Sequence, residues 1–487
     1  MRIIIIGSGF GGLAAAIRLA AKGHDVTLLE SCHEAGGRAQ RVRVGEYFID
    51  AGPTVITAPQ LLHELFELCN ERLEEHLTLL PLEPLWYRFQ FADGQHVDYG
   101  SEALFIQQIT QYFPEDMEGY LRLRQHIRIM FTIGYEKLAA TPFNNISVML
   151  RQLPNIMRLR GFQSVYKLVS HYITSERLRH ILCTPPLLLG GNPMQASAIY
   201  LLIHELEQRY GVHYVKGGTF QLVSALTSLA ERNGVRIHYG KKAEQFGFDD
   251  NNNITTVNCV DGTSYKTDKV IFNGDPTTLY RSLIPKHRQA LMTKWRSQHH
   301  STSMGLMVVY FTTNREYPDI AHHTVGFAAS YQQTLSRIFH KPELAEDFSF
   351  YLHRPKATDM EAIEKGKEMF YVLVPVPHLL DWQPSEQEYE QYANHILATL
   401  ETRLLPDLRK SLIAMHYVTP YYFRDTLHSH AGAGFSLQPT LTQSAWFRYH
   451  NQDPRINNLY LCGAGTHPGA GVPGVLNSAK IVESLII

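Results

Sequence analysis

An α/β fold is what the sequence predicts: one parallel sheet assembled from distant stretches of chain, with an α+β lobe interleaved between them and a helical insertion. Three observations predict it. A strand, a glycine turn and a helix open the chain, a second glycine-rich segment closes it, and strand-like and helical patterns fill the space between. The opening unit begins with the apolar run Arg2-Ile3-Ile4-Ile5-Ile6, passes through Gly7-Ser8-Gly9-Phe10-Gly11-Gly12, and enters Leu13-Ala14-Ala15-Ala16-Ile17-Arg18-Leu19-Ala20, which has helical spacing. Gly7 permits the tight turn, Gly9 lets the backbone approach a pyrophosphate, and Gly12 lets helix and sheet pack closely. Glu30 ends the next apolar run, Val26-Thr27-Leu28-Leu29, where an acidic residue accepts hydrogen bonds from an adenosine ribose. The unit is a Rossmann-type dinucleotide site.

Two further glycine segments indicate which dinucleotide it holds. Gly36-Gly37-Arg38 offers a second close backbone approach, with the Arg38 guanidinium directed to a phosphate or to a flavin edge; a solvated turn is the plainer alternative. Near the end of the chain, the strand Asn458-Leu459-Tyr460-Leu461-Cys462 feeds Gly463-Ala464-Gly465-Thr466-His467-Pro468-Gly469-Ala470-Gly471 and then a helix from Gly474. The helix N-terminus near Gly474 and Val475 presents N–H groups and a positive dipole end, which suits a ring that gains negative charge on reduction. Together these segments predict FAD.

Between the two ends, Leu85 to Phe91 and Gln95 to Tyr99 read as a hairpin around Ala92-Asp93-Gly94, and residues 101–210 turn helical. Val235 to His238 and Lys269 to Asn273 are strands rejoining the first sheet, while Asp249 to Asn253 is a polar hairpin turn. Strands at Met304 to Phe311, Phe348 to Leu352 and Phe370 to Val374 mark a second α+β region. The expected organisation is an FAD-binding domain in three parts, 1–80, 211–285 and 425–487. Interleaved with it are a substrate-domain hairpin at 81–100, a helical lid facing a membrane at 101–210, and a substrate domain at 286–424.

Composition narrows the class. With 487 residues the chain exceeds one ordinary domain, and its formal net charge of −1 argues against bulk attraction to nucleic acid. Five scattered cysteines without C-x-x-C spacing indicate free thiols in a reducing, cytoplasmic setting. Gly7 to Gly12 interrupt the N-terminal apolar run too early for a secretory signal, and no run of about eighteen apolar residues occurs. Of the 25 histidines, the pairs His299-His300 and His322-His323 invite a metal reading. Neighbours on a strand point to opposite faces, so neither pair is expected to form a ligand face, and no metal is predicted.

The chain resembles the bacterial and fungal carotenoid desaturases, specifically the lycopene-forming phytoene desaturases, within the amine-oxidase-like flavoproteins. The resemblance rests on Gly9-Phe10-Gly11-Gly12-Leu13, Glu30 with Gly36-Gly37-Arg38, the stretch Asp50 to Thr57, and Asn458 through Val475. Leu188 to Pro193, His322 to Val325, Ala345 to His353, Val374 to Leu379 and Thr442 to Arg448 extend it from end to end. It implies that Gly7, Gly9, Gly12, Glu30, Gly37, Arg38, Gly52, Pro53, Ala243, Gly463, Gly465, Gly474 and Val475 hold FAD. It implies too that hydrogen pairs are removed from a C40 polyene, phytoene, by hydride transfer to flavin N5, with quinone or oxygen as the final acceptor. A cation delocalised over a polyene needs only a weak base or water to lose its proton, so no catalytic triad is expected. His467 is the side chain most apt to assist; a loop histidine bonded to nearby backbone is its plainer reading. Some relatives carry Arg-Asp at the places of Ser147 and Val148, and this chain has no carboxylate there. Other readings remain open: a C30 diapophytoene desaturase, a carotenoid isomerase, or a flavin-less isoprenoid-lipid carrier.

Substrate solubility sets where the protein must work. At about 0.8 kcal/mol per methylene-sized group, exposing a C40 hydrocarbon to water costs roughly 30 kcal/mol, so substrate is met at a bilayer. In the stretch Arg151 to Arg179, Arg151, Arg158, Arg160, Lys167, Arg177 and Arg179 oppose only Glu176, and eight apolar residues accompany them. This predicts a helix pair lying in the headgroup plane of anionic lipid, monotopic on the inner face of the cell membrane; an amphipathic lid with a solvated basic face is the alternative.

Overall fold

Three distant stretches of chain build the parallel sheet. The computed structural model describes residues 1–380 and 382–486. Its five-stranded sheet runs in the order Leu459–Leu461, Lys269–Phe272, Arg2–Ile6, Asp25–Leu29, Arg236–His238, and every neighbouring pair is parallel. A sheet of this kind must be covered on both faces, which is why its strands read as continuous apolar runs. Ile3, Ile5, Val26 and Leu28 face a core shared with helices Phe10–Ala21, Thr219–Arg232 and Val472–Leu485. Ile4, Leu29 and Val270 face the opposite core, which is closed by Phe246 and Val257 of a small antiparallel sheet. The run Ala14-Ala15-Ala16 is wholly buried, and its small side chains let the first helix lie against both the sheet and the closing helix. Asp249 to Asn253 forms the turn between strands Ala243–Phe248 and Ile254–Cys259, as predicted.

The second sheet has seven strands, in the order Leu412–Val418, Gly305–Thr313, Glu368–Val376, Phe350–His353, His323–Gly326, Leu85–Gln90, His96–Gly100. Only the contact between His323–Gly326 and Leu85–Gln90 is parallel, and it splices the distant hairpin onto the sheet. Period-two alternation divides strand Gly305–Thr313 cleanly. Met307, Val309 and Phe311 pack on helix Glu386–Arg403, whereas Leu306, Val308 and Tyr310 face the interior. Strands His323–Gly326 and Leu412–Val418 have no counterpart among the predicted elements, being a four-residue segment between loops and a half-exposed edge.

The segment from Glu102 to Tyr210 is helical, as its pattern predicts. Where a helix pair was expected there are three helices, Ile146–Arg158, Val165–Tyr172 and Glu176–Leu182. Two serine caps make the divisions: Ser164 Oγ accepts from the Lys167 N–H at 3.2 Å and Ser175 Oγ from the Leu178 N–H at 3.4 Å. The basic excess is also partly spent internally, since Arg177 pairs with Asp93 and Arg179 donates to the Ile173 carbonyl. No described helix is long and apolar enough to cross a membrane.

Candidate active site

One cavity of about 1060 Å³ lies at the carboxyl ends of the parallel strands and continues between the seven-stranded sheet and the helical region. Ligands of open α/β sheets bind at this end. Of the residues predicted to hold FAD, Gly7, Gly9, Glu30, Gly37, Arg38, Gly52, Pro53, Ala243, Gly463, Gly474 and Val475 line the cavity, as does His467. Gly12 and Gly465 do not. A Cβ on Gly12 would stand 2.0 Å from the Gly7 carbonyl oxygen, so Gly12 serves the close helix–strand contact. Gly465 is pressed against Pro276 and Ser436, where a Cβ would meet Pro276 Cδ at 2.3 Å.

The glycine segments interlock. The Gly36 N–H donates to the Ser8 carbonyl at 3.1 Å, which seats the Gly36-Gly37 turn directly on Gly9. Asn273, at the end of its strand, donates from Nδ2 to the Gly7 carbonyl at 3.2 Å and accepts at Oδ1 from the Cys462 thiol. It thereby ties the first glycine loop to the last. Glu30 is more committed to its own surroundings than expected. Its Oε2 accepts from the Ser8 N–H at 2.8 Å and Ser8 hydroxyl at 2.6 Å, while Oε1 accepts from the Cys32 N–H at 2.8 Å and Ser31 hydroxyl at 3.1 Å. A carboxylate has about four acceptor sites, so a ribose contact here would be shared with bonds that fix the loop.

The remaining donors suit an anionic, ring-bearing ligand. Arg38 spends Nη2 on Ser429 Oγ at 2.9 Å, and its buried Nε has no partner. Burial pushes the guanidinium below its ordinary pKa, with Asp275 opposing the shift. The N-termini of helices Phe10–Ala21 and Val472–Leu485 both open onto the cavity. These features fit the pyrophosphate and ring of FAD: an unpaired buried donor, two positive dipole ends, and glycine loops that bring backbone to the cavity wall.

The late loop depends on a residue that sequence reasoning placed only within a motif. Arg448 is fully buried and donates to the carbonyls of Thr466 at 3.0 Å, Ala464 at 2.6 Å and Gln443 at 3.2 Å. His467 follows in that loop. Its ring packs 4.7 Å from Phe143, Nε2 donates to the Leu138 carbonyl at 3.4 Å, and Nδ1 is unpartnered. Burial lowers its pKa to about 4, so the ring is neutral at ordinary pH. Asp50 lies elsewhere: it accepts from the Thr219 and Phe220 N–H groups and caps that helix.

Away from the glycine cradle the walls are apolar, with Leu306, Val308 and Leu373 on one side and Leu187, Leu189 and Ile199 on the other. Glu207 interrupts them. It accepts from the hydroxyls of Tyr87 at 2.9 Å and Tyr99 at 3.3 Å, and burial pushes its carboxyl up to about 7. Nothing in the sequence marks it, because its setting is made by strands more than a hundred positions away. Next to the wall, His322, His323 and His353 place ring nitrogens within 4.8 Å of one another. The expectation that His322 and His323 point apart does not hold, since His322 precedes the strand that begins at His323. Their rings meet edge to face at 4.5 Å. His322 and His353 share a hydrogen bond of 3.1 Å, and Tyr351 joins His323 Nδ1 at 2.6 Å. Burial lowers all three pKa values, and Arg354 lowers that of His322 further. The cluster is a set of neutral imidazoles.

Fold and site define an FAD-dependent oxidoreductase. The family model for flavin-containing amine oxidoreductase matches residues 10–482. A putrescine oxidase structure shares the fold, with a TM-score of 0.67 at 15% identity over 99% of this chain and 98% of that one. The lycopene-forming phytoene desaturase of Pseudescherichia vulneris is 42% identical over 100% of this chain and 99% of its own. A 4,4'-diapophytoene desaturase from Methylomonas sp. is 31% identical over 99% and 94%. The chain belongs to the phytoene desaturase family of flavin-containing amine oxidoreductases.

Proposed function

We propose that this enzyme dehydrogenates 15-cis-phytoene stepwise toward lycopene, as a monotopic protein on the inner face of the cell membrane, with quinone or oxygen as final electron acceptor. The carrying observation is the continuity of one cavity from the glycine cradle into apolar walls. FAD, when bound, supplies the acceptor for hydride at N5. The chain supplies position and dryness: the Leu306, Val308 and Leu373 wall holds a hydrocarbon segment and excludes water. Neutral His467, with Nδ1 free, and Glu207 are two proton-bearing side chains on the lining, and a delocalised cation asks no more of them than weak basicity. The higher identity to the lycopene-forming relative than to the diapophytoene enzyme favours a C40 over a C30 substrate.

Helix Ile146–Arg158 supports entry from lipid. Met149 and Ile156 line the cavity, while Ile146, Leu150, Leu153 and Met157 form an exposed apolar stripe on the outer face. Arg151 and Arg158 flank that stripe and suit anionic headgroups. The test is incubation of FAD-loaded protein with liposomes carrying 15-cis-phytoene, with and without quinone, and then separation of products. Lycopene is expected. Conversion of diapophytoene but not phytoene would replace C40 with C30, and no conversion of either would reject the desaturase reading.

A further inference from the structure

We propose that a second element meets the bilayer: helix Leu291–His299, which places Leu291, Met292 and Trp295 in the headgroup region of anionic lipid. This rests on the membrane reading above and extends it to a segment that no sequence pattern marked.

Three large apolar side chains on one short helix face water at a cost that a folded chain ordinarily avoids by burial. Leu291 is 88% exposed, Met292 48% and Trp295 56%. Positions 291, 292 and 295 share one side of the helix, whereas Thr293, Arg296 and Ser297 are turned inward and buried. The Trp295 indole stacks on His299 at 5.3 Å, and a tryptophan with one polar edge is suited to the boundary between headgroups and acyl chains.

This helix is joined to the Ile146–Arg158 stripe. Arg296 donates to the Trp446 carbonyl at 2.8 Å and lies over the Trp446 ring at 5.3 Å. The turn Ala445–Phe447 leaves Phe447 exposed and packs in turn against helix Ile146–Arg158. Two apolar faces therefore flank one turn.

Charge selects the occupant. No Asp or Glu occurs in residues 137–175, 276–315 or 426–452, although the chain holds 46 acids among 487 residues. The three acid-free stretches are those that carry the stripe, the second helix and the connecting turn. Lys286, Lys294, Arg151 and Arg158 remain as cations beside the apolar side chains. Exposed apolar groups on segments that carry cations and no acids of their own match an anionic bilayer, which offers hydrocarbon and phosphate in one layer.

The experiment uses FAD-loaded full-length protein and vesicles of phosphatidylglycerol and phosphatidylcholine, with and without bromine on the acyl chains, read by tryptophan fluorescence and co-sedimentation. Brominated vesicles are expected to quench emission, and Trp295→Phe to remove most of that quenching while the protein still sediments. Met292→Glu is expected to lower the vesicle partition coefficient at least ten-fold without loss of FAD. Binding to vesicles with Trp295 unquenched and Met292→Glu without effect would overturn this inference and leave the membrane reading standing. No vesicle binding at all would overturn both. A dimer in solution that Met292→Glu dissociates, again without quenching, would assign the face to a second copy of the chain and overturn the inference.

Discussion

Arg448 holds two carbonyls of the late loop, those of Ala464 and Thr466, together with that of Gln443 on a single buried side chain. Replacing it with Leu leaves those acceptors unpaired in a dry site, at about 1–3 kcal/mol each. Arg448→Leu is expected to lose most of its bound FAD and to melt well below the parent protein, measured by flavin absorbance and calorimetry. Glu207 makes a pH-dependent prediction. Its folded pKa, raised to about 7 by burial, lies above the ordinary carboxylate value, so the folded state holds an extra proton between those values. Glu207 therefore destabilises increasingly as pH rises from the unfolded pKa to about 7. Glu207→Gln removes that cost: its melting temperature relative to the parent should rise between pH 5 and pH 8. At this scale the glycines were legible because turns demand them locally. Asn273 and Arg448 were not, because their roles are bonds to backbone that only the fold brings near; Asn273 reaches Gly7 across 266 positions.

Helix Ile146–Arg158 has two working faces, and they can be separated. Leu150 and Leu153 are exposed, at 55% and 44%, while Met149, on the adjoining face one turn before Leu153, lines the cavity. The double variant Leu150→Glu, Leu153→Glu should keep its FAD and its fold. It should lose vesicle association and turn over liposomal phytoene at least ten-fold more slowly, with detergent-solubilised phytoene restoring much of the rate. Co-sedimentation and product analysis check this together. The helical character of this region was readable from its apolar spacing. Its division into three helices was not, because Ser164 and Ser175 act as caps only in the extended backbone that the structure gives them.

The whole molecule brings the chain ends together to complete one sheet, and sets the opening between that sheet and a second one. The parallel sheet was legible from continuous apolar runs buried on both faces, and the strand Gly305–Thr313 from its apolar content. The parallel splice of His323–Gly326 onto Leu85–Gln90 was not, since two short segments more than two hundred positions apart carry no mutual signal. The histidine cluster was missed because His322 lies outside the strand that begins at His323, and His353 joins the pair from the neighbouring strand. What the assembly accomplishes is to hold a polyene and a flavin in one dry cavity. The direct measurement is anaerobic: mix FAD-loaded protein with liposomes carrying 15-cis-phytoene and monitor the flavin's visible absorption without any added acceptor. The account predicts bleaching of the flavin matched one for one by newly desaturated product. An unbleached flavin on protein that has bound the liposomes and taken up phytoene would contradict it.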